Sequence, residues 1–186
     1  MAATEHDFSD TPLPRILALD ADFVVSVIVE SEPFHETCAK FSARLVRESV
    51  TIVHSPLLRL EVLRAWQKAI NSKALPQSIL PQRLLWDDPA SERRLSYQLA
   101  NDYLDEFLGL FRRLEVRLTS RIQRRTWQLM ATHGLKPMDA CRLACAMHTG
   151  SPHIASLDRD FRRVDGLHLW NDLIPSKRQA RRRSRH

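Results

Sequence analysis

A chain of 186 residues, 44% hydrophobic and 27% charged, is long enough for one well-buried domain and short for two, with the balance of a soluble globular protein. Cys38, Cys141 and Cys145 are odd in number and lack paired metal spacing, which argues against a disulfide scaffold. No apolar run reaches membrane-spanning length and the N-terminus has no apolar signal-like core, so the expectation is a cytoplasmic protein that does not associate with membranes.

The net charge of +6 is a property of the tail: residues 177–186 hold 6 of the 28 basic residues and no acid. Within the body, residues 1–110 carry 11 basic and 16 acidic residues, and residues 111–176 carry 11 and 6. That split suggests an acidic side and a basic side, as would suit a metal site flanked by a phosphate-binding surface.

In chain order, Ile16-Leu17-Ala18-Leu19 is an apolar run that ends on Asp20 and reads as a buried parallel strand delivering that acid to the sheet's C-terminal edge. Phe23 to Val29 reads as a short buried helix capped by Asp22. Pro33 opens a second helix, with Phe34, Cys38, Phe41 and Leu45 on one face. Val50 to His54 is β-branched and short, a second strand. Ser55-Pro56 starts a third helix, and Glu61 lies a turn and a half into it.

Residues 73–89 contain three prolines and read as a short helical turn between loops. From Ser91, Leu95, Leu99, Tyr103, Phe107 and Phe111 recur every fourth residue along a strong helix, with Leu104 and Leu108 as a second row. Leu114 to Leu118 alternates as an edge strand does. A basic helix carrying Arg121, Arg124, Arg125 and Trp127 runs from Ser120 to Gly134, and Pro137 opens a buried helix that holds Asp139 and runs through His148. His153 to Leu157 is a strand ending at Asp158, and Leu167 to Trp170 a last one.

Asp20 and Asp158 therefore each end an apolar strand of a parallel sheet and belong at the same edge, and Glu61 and Asp139 sit where strands hand over to helices. Acids brought this close repel one another unless a cation compensates, and Mg²⁺ or Mn²⁺, hard ions that take oxygen ligands, are the natural choice. The charge split makes Arg121, Arg124 and Arg125 candidates for phosphate contact, as in nucleic-acid binding. Cys141, Cys145 and His148 share a helix face, but with no fourth ligand in view core packing is the better reading.

The order of an N-terminal apolar strand ending on Asp20, a helical Glu61, Gly-Leu-Lys-Pro-Met-Asp139-Ala and Ile-Ala-Ser-Leu-Asp158-Arg-Asp160-Phe resembles a PIN domain, and is most similar to VapC-type toxins of bacterial toxin–antitoxin pairs. The resemblance implies a three-layer α/β/α fold with a short parallel sheet. It also implies a metal-dependent endoribonuclease in which Asp20, Glu61, Asp139 and Asp158 bind Mg²⁺ or Mn²⁺ and a metal-activated water attacks RNA. Ser156 and Asp160 match supporting positions, a homodimer is implied, and a cognate antitoxin would lay its C-terminal segment across the site. One departure is Asp22, where the family usually has Asn, Ser or Thr; the extra charge either tightens metal binding or displaces the attacking water. The expected organisation is a flexible N-terminus at 1–14, a PIN domain at 15–174 and a disordered basic tail at 175–186.

Two other readings stand beside it. Asp20-Ala-Asp22 also fits the opening of haloacid-dehalogenase-like phosphatases with Asp20 as nucleophile, and Ser55, Lys136 and Asp158 in the later motifs. Against that, an unbroken apolar helix follows where a glycine-bearing flap belongs, and Glu61 has no role. The other is a PIN fold that binds RNA or protein without cutting.

Overall fold

The computed structural model describes residues 2–71 and 89–172; the expected turn after Lys73 and the basic tail at 175–186 lie outside the described residues. The strands are β1 (Thr4–Asp7), β2 (Ile16–Leu19), β3 (Thr51–His54), β4 (Arg112–Glu115), β5 (His153–Ala155) and β6 (His168–Asn171). The helices are α1 (Ala21–Ile28), α2 (His35–Arg47), α3 (Pro56–Asn71), α4 (Pro89–Gly109), α5 (Ser120–His133) and α6 (Pro137–His148). All strand pairs are parallel, in the order β1-β6-β5-β2-β3-β4. Among the described residues no helix is long and apolar enough to cross a membrane.

Side chains alternate across the sheet because successive strand residues point to opposite faces. Leu17, Leu19, Ile52, Ala155 and Trp170 join the core formed with α1–α4, which contribute Phe23, Phe41, Val62, Trp66 and Leu104. Ala18, Val53, Ile154 and Leu169 join a second core with Ile122 and Leu129 of α5 and Ala140 and Leu143 of α6. The result is the three-layer α/β/α architecture expected from the sequence. Leu17 and Leu19 are wholly buried, and truncating either to Ala should cost about 3 kcal/mol, so the strand that carries Asp20 is firmly held.

Several expectations need correction. Asp20, not Asp22, caps α1, its side chain accepting from the Ala21 N–H. The N-terminal segment expected to be flexible contains β1, which pairs with β6 from Thr4 opposite His168 to Asp7 opposite Asn171. His6 stacks on Trp170 with ring centroids 4.5 Å apart, and its Nε2 lies 2.9 Å from His168 Nδ1. Aromatic contact thus holds a polar strand to the sheet. β4 lies at 112–115, earlier than the apolar alternation suggested, with all four residues exposed at an open edge. On α4 the buried row is Ser96, Ala100, Leu104, Phe107 and Leu108, continued past the helix end by Phe111, so the second apolar row faces inward and Leu95 and Leu99 are half-buried. The α5 boundaries agree with expectation, Gly134 taking the left-handed conformation (φ 63°) that ends the helix.

Candidate active site

β2 lies between β3 and β5, so the chain leaves it towards one side and returns later on the other. The C-terminal ends of β2 and β5 flank the crevice where open α/β sheets bind ligands. Asp20 follows β2 directly, and its N–H donates to the Ala155 carbonyl at 2.9 Å, extending the β2–β5 pairing by one residue. Asp20 is 3% exposed, with Oδ1 accepting from the Ala21 N–H at 2.7 Å and Oδ2 accepting from the Ser156 hydroxyl.

Ser156 is fully buried and joins three acids, because its oxygen also accepts the Asp158 N–H at 3.0 Å and its hydroxyl lies 3.4 Å from Asp22. Asp22 accepts the Leu157 N–H at 3.1 Å, tying α1 to the turn after β5. Asp158 caps the short 3₁₀ turn Arg159–Arg163 by accepting from the Asp160 N–H at 2.8 Å. Asp160 stands at the rim, 2.6 Å from Arg163 and 3.3 Å from Lys136. Lys136 also reaches Asp158 at 3.4 Å.

The residue that sequence reasoning missed is Arg142. It is 4% exposed and pairs through Nη1 with Asp20 and through Nη2 with Glu61. The same Nη2 is 3.7 Å from Asp139. A signal for it existed in the sequence: an arginine in a helix apolar almost all round, three residues beyond Asp139 and so on the same face. The structure thus brings Asp20, Asp22, Glu61, Asp139 and Asp158 to one end of the sheet, with a guanidinium among them. Among the described residues no three His, Cys, Asp or Glu side chains converge tightly enough to hold a metal ion.

The electrostatics follow from burial and crowding. Burial pushes the Asp22 carboxyl up to about 7 and the Asp158 charge adds to this, while hydrogen bonds from Phe23 and Leu157 oppose it. Burial likewise raises Glu61 to about 7, with Asp139 and Asp22 contributing; its ion pair with Arg142 works in the other direction. Asp139 is raised first by burial and then by Asp158. Burial lowers Arg142 to about 10, leaving it charged at neutral pH.

Such a set of crowded carboxylates suits a hard divalent ion, which takes oxygen ligands and removes the repulsion. One observation places the room for it: Asp139 Oδ2 is buried without a hydrogen-bond partner among the described residues. Asp139 and Asp158 therefore suit a Mg²⁺ or Mn²⁺ ion that keeps most of its waters and needs only one or two carboxylates rather than a cluster of three, whereas Asp20 and Glu61 already share a cation.

The site opens into a cleft of about 890 Å³ between α1 and α3, lined by Asp22 and Glu61 and by Arg64 and Lys68. Arg121, Arg124 and Arg125 line a different cavity of about 470 Å³ with Met147 and His148. Its α6 wall runs from Ala144 to His148 and none of the acids lines it, so the three arginines do not flank the acids directly. Cys145 is buried in the core and Cys141 half-buried beside it.

The model of the PIN domain family matches residues 17–167. No curated protein matches in sequence. Solved structures share the fold at low identity. The VapBC2 complex of Rickettsia felis, bound to a DNA fragment from its promoter, superposes with a TM-score of 0.53 at 14% identity, covering 84% of this chain and 98% of that one. FitAcB from Neisseria gonorrhoeae gives 0.51 at 16% identity over 85% and 99%. VapC20 of Mycobacterium tuberculosis, a toxin that cleaves the sarcin–ricin loop, gives 0.50 at 15% over 78% and 92%. The family match spans most of the chain, including Asp20, Glu61, Asp139 and Asp158, and the sheet order and helical layers agree with it: this chain belongs to the PIN domain family.

Proposed function

We propose that this protein is a Mg²⁺- or Mn²⁺-dependent endoribonuclease and the toxin of a toxin–antitoxin pair. The observation that carries the proposal is the meeting of carboxylates from β2–α1, α3, α6 and the turn after β5 around a buried arginine at the sheet's C-terminal edge. Asp139 and Asp158 would hold the ion, with Asp20 and Glu61, bound to Arg142, beside it. When bound, it supplies Lewis-acid activation of water and neutralises charge on the phosphoryl oxygens.

The chain's own residues do the positioning. Ser156 fixes Asp20 and Asp22 relative to the turn that carries Asp158. Arg64 and Lys68, one and two turns beyond Glu61 on the cleft wall, hold the phosphates beside the scissile bond. Water attacks phosphorus in line, the bond to O3′ breaks, and the leaving oxygen takes a proton, giving a 5′-phosphate and a 3′-hydroxyl.

An antitoxin segment fits the same cleft, where it would exclude substrate. The homodimer is assigned to the open β4 edge, around which Leu110, Leu114 and Leu118 stay exposed; Leu114→Glu should then shift the sedimentation of the full chain towards monomer.

The test compares RNA oligonucleotides with an aryl phosphate, each with Mn²⁺ and with chelator. The expected result is RNA cleavage that chelator abolishes and no aryl-phosphate turnover. Aryl-phosphate turnover lost in Asp20→Asn, without RNA cleavage, would instead support the phosphatase. RNA binding without any turnover would support a non-catalytic fold.

A further inference from the structure

Two-metal phosphodiesterase sites set their ions about 3.5–4 Å apart, with free carboxylates on both sides. Here the two sides are unequal. Asp20 and Glu61 are both engaged by the Arg142 guanidinium, whose side chain is 5% exposed. The planar fork of an arginine spans two carboxylates as a point charge cannot, and these two come from different elements, the β2–α1 junction and α3. On the other side, Asp139 keeps Oδ2 buried and without a partner among the described residues. Asp158 is approached by the exposed Lys136 at 3.4 Å, a pairing weak enough for a divalent ion to displace.

Accepting the metal-site reading above, we infer that Arg142 is a built-in cation that neutralises the Asp20–Glu61 half of the cluster, so that the site takes one divalent ion, on the side of Asp139 and Asp158, rather than two. Arg142 is a positioning residue in this account: it fixes two carboxylates and closes a second ion position. Its displacement is opposed because a buried charge stripped of its partners is costly.

Mn²⁺ alone is the probe, titrated into the full chain with free ion read by electron paramagnetic resonance. Wild type should bind one Mn²⁺ per chain, Arg142→Met two, and Arg142→Lys, which keeps a charge there, one. Circular dichroism reports whether Arg142→Met folds. If it does not, a second pair decides: Glu61→Gln should hold its ion within about threefold of the wild-type affinity, while Asp139→Asn loses at least about tenfold. Two ions on wild type, one ion on both wild type and folded Arg142→Met, or equal losses in Glu61→Gln and Asp139→Asn would overturn the inference and leave the metal site standing. No bound Mn²⁺ in any of these proteins would overturn the metal site itself.

Discussion

Arg142 lies one turn beyond Asp139 on α6 and holds its Nη2 3.7 Å from that carboxylate. The same guanidinium binds Asp20 and Glu61, so it joins the layer of α5 and α6 to both the sheet and α3. Removing it leaves carboxylates buried and unpaired. In metal-free protein Arg142→Met should therefore lose about 3 kcal/mol of stability in urea unfolding. Unchanged stability would mean that the ion pairs contribute nothing.

Ser156 is expected to matter through geometry. Its hydroxyl binds Asp20 and its oxygen accepts the Asp158 N–H, in a position with no exposure. Ser156→Ala should cost about 2 kcal/mol by leaving buried partners unsatisfied. It should also reduce kcat for RNA more than it raises KM, which steady-state kinetics on one oligonucleotide will show.

Asp22 carries a pH signature. Its folded pKa, raised to about 7 chiefly by burial, exceeds the unfolded value, so the folded state holds the proton more tightly. Stability contributed by the neutral form is present at low pH and lost as pH rises through about 7. Without divalent ions, Asp22→Asn should therefore melt at least about 3 °C above wild type at pH 8. The difference should shrink as pH falls below 7 and vanish only below the unfolded value of 3.8. A variant equally stable or less stable than wild type at pH 8 would contradict the burial argument.

The histidines on the far strands give the opposite limb. His153 is lowered to about 4, first by burial and then by His168 and His6, and its Nδ1 accepts from the Trp170 indole N–H at 3.2 Å. The unfolded chain binds the proton more tightly here. Stability is full above the usual histidine value and falls as pH drops from about 6.5 towards 4. With partial exposure discounted, the loss should be on the order of 1 kcal/mol, or about 3 °C. His153→Gln should flatten that limb in melting curves between pH 7 and 4.5; an unchanged slope would assign it to other groups.

The two basic surfaces should separate in kinetics. Arg64→Ala with Lys68→Ala should raise KM for RNA about tenfold and make it less steeply dependent on salt. Neutralising Arg121, Arg124 and Arg125 together should leave cleavage of a short oligonucleotide within about twofold, because those side chains line a cavity that contains none of the acids. The reverse pattern would move the substrate path to the α5–α6 cavity.

Much of this arrangement is legible in the residues. Ile16 to Leu19 is an apolar run ending at an acid, a pattern that burial on both faces of a parallel sheet leaves, whereas the strand expected from His153 to Leu157 ends at Ala155, three residues before Asp158. Asp139 follows a proline that starts its helix. β1 left no such pattern: Thr-Glu-His-Asp is polar, and its place depends on rings of β6 that lie 162 residues away in the case of His168. β4 misled because Leu114, Val116 and Leu118 alternate, yet the register with β3 places Arg112 opposite Thr51 and ends at Glu115. Asp22 looked like the cap because it precedes the apolar helix, but the turn begins one residue after Asp20. Arg142 was obscured by a rule that holds elsewhere: charged residues in helices are usually solvated, and only the fold shows acids gathered around this one.

The most direct measurement is RNA cleavage by Asp139→Asn in Mn²⁺, alongside wild type and with circular dichroism on both. The account predicts a folded variant whose cleavage is reduced at least about a thousandfold, to the level of wild type in chelator. A folded Asp139→Asn that still cleaves at wild-type rate would contradict it.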